Sequence, residues 1–441
     1  MAQWNITTQD YLNQERSLFE VNGVATRDGK IVDEYNRFPV SINSDAFGRT
    51  RVSNPLTLFD SSHRYRDNNL WESLVVGTGS TVGFSTTQGL VNIGIGTTAG
   101  CSVIRETTKV FSYQPGKSLL TMNTFVLNPP KENLRQRVGY FGADNGIYFE
   151  VDGTTAYFVE RSLSLGTETR VSQSNWNIDK LDGTGVSGVT LDLTKAQILW
   201  TDIEWLGLGN VRLGFIINGK FVHAHTFQHA NIIQSTYITT ASLPLRYEIS
   251  NTGITTSTST LKQVCSTVIS EGGYELRGLQ QAVSTPITAP VDLPTPAGTY
   301  YPVISIRLKA PINNQPDRLD AIVIMTALSI MGTGNGPQYN WQVRASATTS
   351  GGTWVSAGVD SAIEYKIDGG AVSGGRVLAS GFLTSANQSS QSVDILKEAL
   401  FKFQLERNGL TKTPHELTLV AASDTAGADI FASMDWEEIS R

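Results

Sequence analysis

Between residues 189 and 231 apolar side chains recur at every second position: Ile203 and Trp205, then Val211, Leu213, Phe215 and Ile217. A period of two sends successive side chains to opposite faces of an extended chain, so these residues line one face of neighbouring strands. The pattern breaks at residues 207–210 and at Asn218-Gly219, and the second break has the composition of a two-residue hairpin turn. A three-stranded antiparallel meander is predicted. Its apolar face needs a second layer to cover it, which makes a β-sandwich the expected outcome.

The rest of the chain reads in the same way. From residue 54, short strands are predicted at 74–76, 90–95, 102–105, 119–126, 137–141, 147–151 and 156–161, the last two joined by Asp152-Gly153. Strands at 245–249 and 263–271 close this first domain. Residues 284–302 hold Pro286, Pro290, Pro294, Pro296 and Pro302, which cannot donate ladder hydrogen bonds, and they read as a stiff linker. Beyond it, strands at 303–308, 321–330, 340–345, 362–367, 401–406, 416–420 and 430–436 and a short helix at 393–399 predict a second sandwich. Residues 1–53 have no sustained periodicity. They read as an extended arm whose Phe19, Phe38 and Phe47 bury only against later parts of the chain or a neighbouring subunit. The expected fold is thus all-β: arm 1–53, lectin-like or jelly-roll sandwich 54–283, linker 284–302 and C-terminal sandwich 303–441.

Composition narrows the function. With 441 residues, 40% hydrophobic, only 17% charged and 41 glycines, the surface must be largely uncharged polar side chains and turns. A net charge of −6 with no basic run argues against nucleic acid as a partner. The run 321–331 is too short to span a bilayer, the start of the sequence lacks a secretory profile, and no membrane partner is expected. Cys101 and Cys265 lie in no metal-ligand spacing and read as buried free thiols in a reducing compartment.

Four stretches, AFGRTRVSNPLTLFDSSHRYRDNNLWE (46–72), TTAGCSVIRETTKVFSYQPGKS (97–118), RQRVGYFGADNGIYFEVDG (135–153) and NWNIDKLDGTGVSGVTLDLTKAQ (175–197), resemble a family of tailed-bacteriophage virion structural proteins common among marine phages. The resemblance spans about residues 45–274 and implies a component of the virion, assembled in the host cytoplasm. A tail-fibre or baseplate-peripheral place is the first expectation, with a capsid decoration or head-fibre protein and a glycan depolymerase as alternatives. Partners implied are other virion proteins, a host-surface glycan and further copies of the chain, a trimer being preferred on the family analogy. The segment VRLGFIINGKFVHAHTF also looks like the hairpins of concanavalin-like lectin sandwiches.

Candidate chemistry is sparse. Thr201-Asp202-Ile203-Glu204-Trp205-Leu206-Gly207 is similar to the E-I-D-I-E-F-L-G strand of laminarinase-type glycoside hydrolases, with Asp202 and Glu204 on the last two acids and Trp200 where the nucleophile stands. Indole cannot form the covalent intermediate that a retaining glycosidase needs. The chain is therefore expected not to be an enzyme, with no catalytic residue, metal or cofactor. His223 and His225, two apart on a strand, are expected on one face, with His229 just beyond. His223 and His225 together with Asp202, Glu204 and Trp176 make the candidate ligand face. In adjacent aromatic pairs such as Tyr148-Phe149 only one ring faces the core, so a partner subunit is expected to cover the other. Phe38, Phe47, Arg49, Arg51, Arg64, Tyr65 and Arg66 combine aromatic area with directed donors and are the candidate subunit or virion interface.

Overall fold

The computed structural model describes residues 25–27, 30–32, 55–273, 277–293, 296–309, 318–334, 336–367, 369–386 and 404–439. The chain divides into two units, Met1–Val52 and Ser53–Arg441. In the first, Ala25–Arg27 pairs antiparallel with Lys30–Val32. The interface candidates Phe38, Phe47, Arg49 and Arg51, and the helix expected at 393–399, lie outside the described residues.

The described part of Ser53–Arg441 is all-β, with a single 3-10 turn at Gln173–Asn175 and no α-helix. The predicted meander forms from Ala196–Ile203, Val211–Ile217 and Lys220–Phe227. Asn218 and Gly219 both take positive φ, 53° and 74°, which gives the hairpin the twist its strands need. The meander is one side of an eight-stranded sheet that continues through Leu119–Val126, Ser259–Ser270, Leu90–Ile95 and Thr81–Ser85, with Leu56–Ser62 also on Ser259–Ser270. Facing it is a seven-stranded sheet in the order Thr167–Ser172, Thr155–Ser162, Gly146–Asp152, Leu134–Phe141, Leu245–Asn251, Ser102–Thr107 and Trp71–Val76. Between them lie Leu199, Ile203, Leu213 and Phe215 from one sheet and Val138, Phe149, Phe158 and Ile249 from the other. Phe149 meets Phe215 edge to face at 5.2 Å, and Trp176 stacks on Phe158 at 4.3 Å. Such ring pairs contribute about 0.5–1.5 kcal/mol each beyond area burial.

The outer face of the seven-stranded sheet corrects one expectation. Tyr148 points away from the core yet is fully buried without a partner subunit. It packs on Phe141 at 4.4 Å, with the guanidinium groups of Arg137 and Arg161 over its ring at 5.4 and 5.2 Å. Arg137 in turn donates to Glu150 at 2.6 Å and Glu248 at 3.1 Å, its neighbours on the two adjacent strands. Alternating Arg and Glu across strands roofs the aromatic ring, because the long stems and flat heads of arginine cover apolar surface while their charges are matched.

The second sandwich pairs a six-stranded sheet, ordered Val355–Ser356, Ile363–Ile367, Tyr301–Leu308, Glu416–Ser423, Gln338–Thr349 and Val372–Thr384, with a sheet built on Ala428–Ile439. Ile322–Gly332 pairs with that last strand, and so do Leu279–Ser284 and Val291–Leu293. The proline-rich stretch is therefore not simply a linker. Its prolines flank Val291–Leu293 rather than interrupt it, which leaves the pairing groups free to join the sheet. The strand Val372–Thr384 was not among the predicted ones; it carries Gly374, Gly375 and Gly381, a residue type more usual in turns than in strands. Gly381 instead makes room for a ring: a Cβ there would stand 2.7 Å from the indole of Trp341, its cross-strand partner.

Candidate functional site

The outer face of the meander carries the residues of the laminarinase-like strand. Trp200, Gly214 and His223 form one cross-strand row, and Asp202, Arg212 and Thr226 the next. Trp200 lies flat across its neighbour strand because Gly214 has no side chain, a Cβ there falling 2.9 Å from the indole nitrogen and 2.0 Å from the Val222 carbonyl. Its ring reaches both Phe221 and His223, each at 5.7 Å. Phe221 is 57% exposed, the open aromatic of the group. Gly214→Ala should cost about 1–3 kcal/mol, the usual range for overpacking. An unchanged urea midpoint would show that the indole is not held across Gly214.

Beside this aromatic row stands an ion pair. Arg212 donates from Nε to Asp202 Oδ2 at 3.1 Å and from Nη2 to the same oxygen. The Asp202 side chain is 2% exposed and that of Arg212 20%. Glu204 is fully buried just past the strand, where its backbone N–H donates to the Asn210 carbonyl at 3.2 Å. Both carboxylates of the hydrolase-like motif are thus enclosed, and the exposed members of the face are Phe221 and the rim of Arg212. Neither had been singled out in the sequence. The available signal was Phe221 immediately after Asn218-Gly219-Lys220, on the strand that begins past the turn.

The expectation that His223 and His225 share a face is corrected. The register shifts between Leu213 and Gly214, so that Leu213 pairs with His225 and Gly214 with His223. One extra residue in a bulge reverses the facing of everything beyond it. His223 lies outside against Trp200, whereas His225 turns inward to Phe158 at 6.2 Å and Phe227 at 4.6 Å. Burial lowers the pKa of His223, and burial followed by the proximity of His223 lowers that of His225 to about 4. Trp176 is likewise in the core, its Nε1 donating to the Val171 carbonyl at 3.1 Å. Of the proposed ligand face, Asp202 and His223 share the outer surface of the meander, and Trp176 and His225 lie on the other side of the sheet.

His229 serves the interior. Its Nδ1 is 2.6 Å from the Gly209 carbonyl, its Nε2 is 2.6 Å from the Glu160 carboxylate, and its ring stacks on Tyr237 at 3.9 Å. It clamps the 227–241 connection to the seven-stranded sheet. Among the described residues no group of three or more His, Cys, Asp or Glu is placed to hold a metal ion. Arg64, Tyr65 and Arg66 lie on a loop after Leu56–Ser62, all exposed, Tyr65 to 90%.

No protein-family model matches the chain, and no curated protein matches it. Among solved structures it is similar to the carbohydrate recognition domain of Emp47p, with 9% identity over 51% of this chain and 98% of that one, at a TM-score of 0.32. A Bacteroides ovatus mixed-linkage-glucan GH16 protein, in complex with its G4G4G3G product, matches at 11% identity over 48% of this chain and 99% of that one (TM-score 0.33). A β-1,3-glucanase from Mycobacterium marinum matches at 9% identity over 48% and 98% (TM-score 0.34). The described part of Ser53–Arg441 is thus all-β and of sandwich architecture. The expectation that the chain is not an enzyme is withdrawn; the solved structures it is similar to include ones described as a glycosyl hydrolase family protein and a β-1,3-glucanase.

Proposed function

We propose that the chain recognises cell-surface polysaccharide as a peripheral component of a tailed-phage particle, at a tail fibre or baseplate, through the outer face of the meander. The observation that carries this reading is Phe221, exposed beside the buried Trp200 and the half-buried His223 and next to the Arg212–Asp202 pair. A sugar ring offers C–H groups to an aromatic face and hydroxyls to a charged pair, and the two lie side by side here. The likeness of about residues 45–274 to virion proteins supports the setting. A second reading, cleavage of the bound glycan, is favoured by Asp202 and Glu204 standing on the last two acids of a hydrolase-like strand.

Retention on immobilised algal and bacterial polysaccharides tests the proposal. Phe221→Ala should weaken retention roughly tenfold, the scale of about 1.4 kcal/mol of lost stacking. Retention that Phe221→Ala leaves unchanged would remove this face from consideration. Reducing ends measured in the same mixtures separate cleavage from recognition alone, and purified particles that carry no copies of the chain would end the virion assignment.

A further inference from the structure

Within Ser53–Arg441 the two sandwiches are tied together around Glu106, Thr108 and Val110. The backbone N–H of Arg407 donates to the Thr108 carbonyl at 3.1 Å, and Gln404 Nε2 donates to the Val110 carbonyl at 3.0 Å. Val110, from the first sandwich's sequence, is part of the second sandwich's core. Next to this tie Glu106 accepts from Arg246 Nε at 2.9 Å and from Arg407 Nη1 at 2.5 Å, all three residues being buried. A Cβ on Gly409 would fall 1.4 Å from Arg407 Nη1, so the chain closes tightly over the triad.

The triad lies at a cleft of about 340 Å³ between the sandwiches. Asp144, Thr239, Thr240, Asp320 and Lys412 line it, and Leu163, 57% exposed, gives it an apolar side. Two guanidinium groups against one carboxylate leave the triad one positive charge, and Asp144 and Asp320 against Lys412 leave the other lining groups one negative charge. Arg318 stands beside Asp320, its Nε 3.9 Å from the carboxylate, so that rim charge is already met. Hydroxyls, carboxylates and one exposed apolar wall in a cleft at the small end of the ligand-pocket range of about 300–1,000 Å³ suit a small neutral polyol.

We propose that this cleft is a second glycan site, distinct from the meander face, and that it takes a neutral saccharide of one or two rings. The proposal takes its ligand class from the glycan reading, while its place rests on the cleft alone. Asp144 is exposed and makes no hydrogen bond among the described residues, so Asp144→Ala removes a cleft acceptor without removing a packed group. Isothermal titration of the full chain with cellobiose, laminaribiose, maltose and lactose, and with galacturonate as an anionic control, is the test. Binding of at least one neutral disaccharide that persists in a Phe221→Ala background, where the meander face is removed, and is weakened at least tenfold there by Asp144→Ala or by Leu163→Asp, is the expected result. Preference for galacturonate, or neutral binding untouched by both cleft variants, overturns the cleft proposal. If Phe221→Ala alone abolishes binding, the meander face stands and the cleft falls. Should no saccharide bind at millimolar concentration while polysaccharide retention persists, the cleft again falls alone; if both fail, the glycan reading fails with it.

Discussion

Glu106→Gln is expected to destabilise the Ser53–Arg441 unit by about 3–5 kcal/mol, the scale seen when one member of a buried ion pair is removed. The Glu106 side chain is 1% exposed, and those of Arg246 and Arg407 are 7% and 6%. With the carboxylate gone, two guanidinium charges face each other with only 7% and 6% of their side chains exposed. The size comes from stranded charge rather than from lost attraction. Replacing Arg407 with methionine in the same chain should therefore recover part of the loss, and a double-mutant cycle measures how much. Because Glu106 and Arg246 belong to the first sandwich and Arg407 to the second, the single variant is also expected to split one calorimetric transition into two. A loss below about 1 kcal/mol would mean that solvent reaches the triad.

Acid should weaken the fold through His225. Its folded pKa is lowered to about 4, by burial first and then by the proximity of His223, from an ordinary value of 6.5. Below pH 6.5 the unfolded chain takes up a proton that the folded chain refuses until about pH 4. Stability is thus fully present above 6.5 and declines as the pH falls from 6.5 to 4. The whole span is worth about 3 kcal/mol at 1.36 kcal/mol per pKa unit. His223, also lowered by burial, acts in the same direction. His225 Nδ1 accepts the Asn177 N–H at 3.3 Å, an acceptor role that an amide oxygen can take over. Urea midpoints at pH 7 and pH 4.5 should therefore lie closer together in His225→Gln than in the parent chain. Equal spacing in the two proteins would assign the acid sensitivity to other groups.

Several elements were legible before the structure. The strand at 119–126 and the meander with its Asn218-Gly219 turn follow from period-two alternation and from the positive φ that only a few residues accept cheaply. Legibility failed where a local signal had two meanings. Glycine in 372–384 punctuates a turn in most contexts but here admits Trp341 from across the sheet. Proline in 284–302 forbids pairing only at its own nitrogen, and the three residues between Pro290 and Pro294 pair with the last strand. The candidate site was half visible: Asp202 and His223 share the predicted face, while Trp176 and His225 lie inside.

The sequence by itself determined which segments extend, where most of them turn and that apolar faces must be covered, because steric and pleat constraints act between near neighbours. Only the tertiary structure decided that a bulge opposite Leu213 and Gly214 parts His223 from His225, and that Arg137, Glu150 and Glu248 roof Tyr148. It also brought Arg407 onto Glu106 across 301 positions of chain. These outcomes depend on which strands pair and in what register, and pairing is set by the packing of whole sheets, which no local window contains.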